Sequence, residues 1–155
     1  MELLTNQIHR LLVENKKTVA VAESCTGGLL SNLLTKTPGS SQYFILGIVA
    51  YSNTAKENIL KIPTKFITNK GAVSQEVAEG LAKSVRGLSG TDFGIGITGI
   101  AGPGGGSKEK PVGTVFIAID TKNKKICKKF NFSGSRTTIR KKAALKTLQL
   151  LIELI

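Results

Sequence analysis

Along this chain a helical rhythm of apolar positions gives way repeatedly to short, continuous apolar runs. Leu3, Leu4, Ile8, Leu11 and Leu12 recur every three or four residues, and Lys16-Lys17 follow where a helix dipole favours cations. That spacing predicts a helix over residues 2–15. Residues 18–22 read as a short buried strand. Helical character resumes from 27 to about 36, until Pro38-Gly39 breaks it. Residues 43–51 (YFILGIVAY) are continuously apolar and long enough for a central strand. Asn53-Thr54 is placed to cap a short helix through Leu60, stopped by Pro63. Ser74 is placed to cap SQEVAEGLAKSVRGL, with Glu76 in its first turn.

Farther along, residues 92–98 (DFGIGIT) predict a strand that runs into the glycine-rich stretch 99–106 (GIAGPGGG). Residues 112–120 and 125–132 predict two strands joined by the polar turn 121–124, a short connection that implies an antiparallel hairpin. Ser135 opens a last helix carrying Ile139, Ala143, Leu145, Leu148 and Leu151. Strands and helices alternate early and the hairpin comes late. The chain is therefore read as an α/β domain with a mixed sheet and helices on both faces.

Length and composition narrow this further. At 155 residues, with no linker and no internal repeat, residues 1–155 are expected to form one domain. No run of about 18 apolar residues is present, so no membrane partner is expected. The N-terminal stretch carries acids among its apolar residues and reads as a helix, not a signal peptide. Cys25 and Cys127 lie far apart without a CxxC pair, which suits reduced thiols and a cytoplasmic location. The chain has 22 basic and 10 acidic side chains, for a net charge of +12. That field suits nucleic acid, an anionic membrane surface or small phosphorylated ligands, and equally a lysine-rich solubilising surface. With no Trp, two Tyr and six Phe there is little material for stacking bases, and nucleic acid is not the expected partner.

The candidate chemistry gathers at Glu23-Ser-Cys-Thr-Gly-Gly28, where a strand ends and a helix begins. Ligands of open α/β sheets sit at such carboxyl ends, and free N–H groups of a helix start can bind an anion or a developing oxyanion. The alternative is that Ser24 or Thr26 only caps the helix and Gly27-Gly28 permit close packing. The lone histidine, His9, lies in the first helix, which disfavours Ser-His or Cys-His chemistry and a His-rich metal site. A hydroxyl nucleophile would then need lysine, tyrosine or carboxylate as its base. Tyr51 and Lys56, just after the apolar run 43–51, offer the first two, or Lys56 is an ordinary exposed helix lysine. GITGIAGPGGG matches neither a dinucleotide nor a Walker fingerprint, although its amides could approach phosphate or sugar closely. Arg136 and Arg140 lie one helical turn apart and share a face that could grip phosphate, or they are solvated charges.

Five stretches in order, VAESCTGG, GIVAYSNTAKENIL, GAVSQEVAEGLA, GITGIAGPGGGSKEKPVGTVFIAI and FSGSRTTIRKKAA, resemble the C-terminal domain family of the competence/damage-inducible protein CinA. That domain also occurs as stand-alone nicotinamide-nucleotide amidohydrolases, and the resemblance covers essentially the whole chain. It implies a single-domain, three-layer α/β/α sandwich. It also implies hydrolysis of the carboxamide of nicotinamide mononucleotide to nicotinate mononucleotide and ammonia, with no cofactor and no metal. The family's nucleophile falls on Ser24, its lysine on Lys56 and its tyrosine on Tyr51, which would relay a proton or orient Lys56. Amides around Cys25, Thr26, Gly27 and Gly28 are the expected oxyanion donors. The ligand loop falls on Thr98, Gly99, Ala101, Gly102, Gly104 and Gly105, with a basic phosphate contact on Arg136 or Arg140. The family commonly has an acid where this chain has Ser135. The expected partner is the small-molecule mononucleotide. The apolar C-terminus LQLLIELI suits a surface between copies of a homo-oligomer, or packing within one copy.

Overall fold

A computed structural model describes residues 1–155. Five strands, β1 (Val19–Glu23), β2 (Phe44–Val49), β3 (Phe93–Gly99), β4 (Thr114–Asp120) and β5 (Lys125–Asn131), form one sheet in the order β2-β1-β3-β4-β5. β1 pairs in parallel with β2 and β3, whereas β3–β4 and β4–β5 are antiparallel. The helices are α1 (Glu2–Glu14), α2 (Leu29–Leu34), α3 (Asn53–Asn58), α4 (Thr64–Lys70), α5 (Gln75–Ser89) and α6 (Arg136–Ile152). The expected mixed sheet, late hairpin and three layers are all present.

The two faces of the sheet are built from different letters. Val19 and Val21, Ile95 and Ile97, and Val115, Ile117 and Ile119 face α1, α2 and α6, where they join Ile8, Leu12, Leu30, Leu34 and Leu148 in the main core. The opposite positions carry small residues: Ala20, Ala22, Gly94, Gly96 and Ala118. A Cβ on Gly94 or Gly96 would collide with the carbonyl oxygens of Ala82 or Ala78, so the glycines are what let α5 lie directly on β3. α5 starts where expected, with Ser74 Oγ accepting from the Val77 amide at 3.3 Å. Its apolar stripe of Val77, Leu81 and Val85 is fully buried.

Two expectations need correction, and one helix lies where none was expected. The run 43–51 is not a central strand: β2 lies at the edge of the sheet, and its side chains alternate between half-buried and exposed. Asn53 does not cap α3; Ser52 does, accepting from the Ala55 amide at 3.0 Å. α4 was not anticipated, although Pro63 before it and Gly71 after it frame a helix. The apolar C-terminus packs within the chain: Leu148, Leu150 and Leu151 are buried in the main core, with Leu154 and Ile155 against it.

Candidate active site

The site forms at the carboxyl ends of β1 and β3. β1 delivers Glu23, and the ladder continues one residue further as the Ser24 amide donates to the Ile97 carbonyl at 3.0 Å. The chain then turns sharply, with the Gly27 amide donating to the Ser24 carbonyl at 3.0 Å and left-handed backbone at Gly27 and Gly28 (φ 57° and 94°). Glu23 holds this turn from inside. Its carboxylate is fully buried and accepts from the amides of Gly28, Leu30 and Ser31 and from the Ser31 hydroxyl, at 2.7–3.1 Å. The carboxylate thereby takes the free N–H groups at the start of α2, where its charge also suits the helix dipole.

That closes the helix start to any external anion. Of the four residues expected to supply oxyanion donors, Gly27 and Gly28 have committed their amides to Ser24 and Glu23. Only the amides of Cys25 and Thr26 are engaged by no other group of the protein. The turn is held from outside by Arg140, which donates to the Thr26 carbonyl at 2.9 Å. A Cβ on Gly27 would lie 3.1 Å from that guanidinium and would press on it, while the positive φ is what calls for glycine there.

Opposite Ser24 stands Lys56, carried by α3 and only 2% exposed. Its Nζ lies 3.0 Å from Ser24 Oγ, 3.0 Å from the Ala50 carbonyl and 3.3 Å from the Tyr51 carbonyl. Both carbonyls come from the chain leaving β2. No carboxylate is paired with Lys56, and burial lowers its pKa below the ordinary lysine value. When the amine is neutral, two N–H bonds point at the carbonyls and the remaining tetrahedral position, a lone pair, faces the Ser24 hydroxyl. Cys25 is a different case: burial pushes its thiol up to about 12, so it holds its proton at neutral pH and is no nucleophile.

A cavity of ≈ 200 Å³ opens onto this pair, lined by Ser24, Cys25, Tyr51, Asn53, Lys56 and Arg136 together with Ala72, Val73, Thr98, Gly99 and Ala101. Thr98 donates through Oγ1 to the Ala72 carbonyl at 2.7 Å, fixing the segment before α5 over the cavity. The Tyr51 phenol does not reach Lys56; its hydroxyl accepts from Arg136 at 2.6 Å, and Arg136 also donates to the Gly102 carbonyl at 2.8 Å. Arg136 thus ties the strand end to the glycine loop across the cavity mouth. It stands in the first turn of α6, which holds no acidic residue.

The structure therefore brings together Ser24, Cys25, Lys56, Tyr51, Thr98, Gly99, Ala101 and Arg136. Thr26, Gly27, Gly28, Gly102, Gly104, Gly105 and Arg140 stand outside the cavity lining. Asn53, Ala72 and Val73 line it without having been anticipated. Asn53 carried a signal as a polar residue next to the Tyr51–Lys56 segment, but small apolar letters such as Ala72 and Val73 carry none. Glu23, an acid at a strand end just before a helix start, was a signal of the right kind.

The family model of the CinA C-terminal domain matches residues 1–155. A CinA-like protein of Endomicrobium trichonymphae is 48% identical over 150 residues, covering 97% of this chain and 35% of that protein. A CinA-like protein of Thermotoga maritima is 46% identical over 148 residues, covering 96% of this chain and 36% of that protein. The chain thus spans about a third of the length of the curated relatives it matches. Among solved structures, the competence/damage inducible protein CihA from Agrobacterium tumefaciens superposes with a TM-score of 0.93 at 37% identity, covering 97% of this chain and 94% of that one. A competence-damaged protein (CinA) superfamily protein from Escherichia coli gives 0.94 at 30% identity, covering 98% and 88%. With its whole length matched by the family model and its fold shared with these structures, the chain belongs to the CinA C-terminal domain family.

Proposed function

We propose that this chain is an amidohydrolase that converts the carboxamide of nicotinamide mononucleotide into a carboxylate and ammonia, with Ser24 as nucleophile and Lys56 as its base. One observation carries the reading: a buried lysine without a counter-charge, 3.0 Å from a serine hydroxyl, with two backbone carbonyls fixing its other hydrogens. Lys56 takes the Ser24 proton as the oxygen bonds to the amide carbon. The amides of Cys25 and Thr26 are the candidate donors to the resulting oxyanion. The C–N bond breaks as Lys56 returns the proton to the nitrogen, and ammonia leaves. Water then attacks the acyl-serine, giving a proton to Lys56, which restores it to Ser24 as the ester bond breaks. The cavity is of a size for one aromatic ring with its amide. Arg136, in the acid-free first turn of α6, would meet a phosphate at the mouth, turning remote binding into alignment of the amide.

The test is ammonia release from the mononucleotide with chelator present throughout, in native protein, Ser24→Ala and Lys56→Ala. Release by native protein that disappears in both variants supports the reading. A folded native protein that binds the mononucleotide without releasing ammonia overturns it in favour of a silent binding module.

A further inference from the structure

Tyr51 meets the site twice, through different atoms. Its carbonyl accepts from Lys56 Nζ at 3.3 Å, and the Ala50 carbonyl and Ser24 Oγ each lie 3.0 Å from the same nitrogen. These neighbours fill every tetrahedral position of the amine that is not bonded to carbon. The phenol therefore has no place left on Lys56, although the family resemblance expects it to relay a proton or orient that lysine. It runs the other way, to the cavity mouth. There the residue is 56% exposed, and its hydroxyl makes its hydrogen bond with Arg136 at 2.6 Å.

Arg136 is held from two sides. One end of its guanidinium donates to the Gly102 carbonyl at 2.8 Å, the other to the Tyr51 hydroxyl. No carboxylate pairs with it, so its charge is unspent. The N–H groups not used in these two bonds stay available to an anion, in a planar fork that suits phosphate oxygens. With the Gly102 carbonyl alone, the long side chain would have one fixed point about which to swing. The phenol supplies the second, and a tyrosine loses little freedom in doing so. Arg140, the other arginine of that helix face, donates to the Thr26 carbonyl and stands outside the cavity lining. Of the two arginines, Arg136 is thus the one left for a ligand.

We propose that the Tyr51 phenol is a positioning residue for phosphate recognition, resting on the amidohydrolase reading above for the identity of the substrate. The phenol aims Arg136 at the phosphomonoester and so sets the preference for a mononucleotide over its riboside. One residue then serves both ends of the substrate. Its backbone carbonyl orients the base at the amide, and its side chain orients the cation at the phosphate. The two duties separate in experiment, because Tyr51→Phe removes the hydroxyl and leaves the carbonyl where it is.

Tyr51→Phe, Arg136→Ala and the double variant are compared in ammonia release from nicotinamide mononucleotide and from nicotinamide riboside. The same two ligands are titrated calorimetrically into each protein with Ser24→Ala added, which reads binding without turnover. Tyr51→Phe is expected to raise KM and Kd for the mononucleotide about five- to tenfold, with the loss in KM and not in kcat, and to change riboside binding less than about twofold. The double variant is expected to bind the mononucleotide no more weakly than Arg136→Ala alone, because the phenol acts through the arginine. A kcat lowered alike on both substrates by Tyr51→Phe overturns the proposal and returns the phenol to a proton relay. Additive losses in the double variant overturn it too, since the phenol would then act without Arg136. So does a Ser24→Ala protein that binds the mononucleotide no more tightly than the riboside. Absence of ammonia release from native protein sinks the amidohydrolase reading alone, and the calorimetric comparison still decides the role of Tyr51.

Discussion

The two ends of β1 present opposite electrostatic designs. At its amino end, Asp92 accepts from the Thr18 amide and hydroxyl at 2.9 and 3.1 Å and pairs with Lys17 at 3.3 Å, while Arg86 pairs with Asp120 at 3.3 Å. A cleft of ≈ 360 Å³ lies there, the larger of the two. At its carboxyl end the cavity is ≈ 200 Å³, yet Lys56 and Arg136 face it with no carboxylate partner. Under the proposed function, the smaller cavity and not the larger cleft is the place of chemistry. The paired end has spent its charges on stability, whereas the unpaired end keeps a buried amine and a serine within one hydrogen bond of each other.

The largest expected contrast is between removing a member of the unpaired end and removing one of the paired end. Ser24→Ala or Lys56→Ala should lower kcat/KM for amide hydrolysis by about a thousandfold or more. Arg86→Ala, at the larger cleft, should leave kcat/KM within about twofold while lowering Tm. Comparable losses at both ends would break the distinction. The Lys56 pKa adds a pH signature. Because burial favours its neutral form, kcat/KM should rise with pH and level off below the ordinary lysine value. In that window the unfolded chain binds more protons than the folded one, so native stability relative to Lys56→Met should rise with pH. A rate plateau reached only above the ordinary lysine value would contradict a lysine base.

Glu23 comes next, because it lies outside the cavity lining and braces the turn that carries Ser24. Glu23→Gln keeps the shape but sets an amide group against backbone donors, and should cost roughly 2 to 4 kcal/mol of stability. As a positioning residue it should lower kcat by about ten- to a hundredfold with little change in KM. A purely structural role would lower stability and leave kcat per folded molecule unchanged. The two arginines make a third test. Arg136→Ala should raise KM for the mononucleotide about tenfold or more, with little effect on the dephosphorylated riboside. Arg140→Ala, removing the contact to the Thr26 carbonyl, should act on kcat for both substrates alike.

How much of this the letters carried follows from where the information resides. Helices α1, α5 and α6 were legible because each buries one face, which writes a period into the sequence, strands β1, β3 and β4 because burial on both faces writes a short apolar run, and β5 because the polar turn 121–124 sets it off from β4. The edge position of β2 was not, since YFILGIVAY reads alike for a strand covered on both sides and one left half-bare. α4 was missed because Thr64, Ile67 and Thr68 are poor helix formers and only its flanks signal it. The Ser24–Lys56 pair was named from motif and resemblance. Its orientation was not, because the carbonyls of Ala50 and Tyr51 that aim the amine belong to the backbone. The same holds for Glu23, whose partners are mostly amides, and for Tyr51, whose carbonyl and not its phenol meets Lys56.

The smallest expected effect sharpens the quiet end of β1. Burial alone would raise the Asp92 pKa, but the Thr18 amide and hydroxyl and Lys17 outweigh it and hold the carboxyl below its ordinary range. The folded state therefore binds this proton less readily than the unfolded one. The stabilisation is fully present above the unfolded-state pKa and is lost as pH falls through the lower folded value. Asp92 is more than a third exposed, so solvent screening discounts the ion pair, and the hydrogen bonds to Thr18 supply most of the effect. Asp92→Asn should thus cost about 1 kcal/mol at neutral pH, with the difference from native shrinking as the medium is acidified. Thermal unfolding of both proteins across that range, beside their amidohydrolase rates, separates the two ends of the strand. A stability gap that closes in acid with rates unchanged places Asp92 wholly on the folding side, whereas a changed rate at neutral pH would show that the ends are coupled through β1.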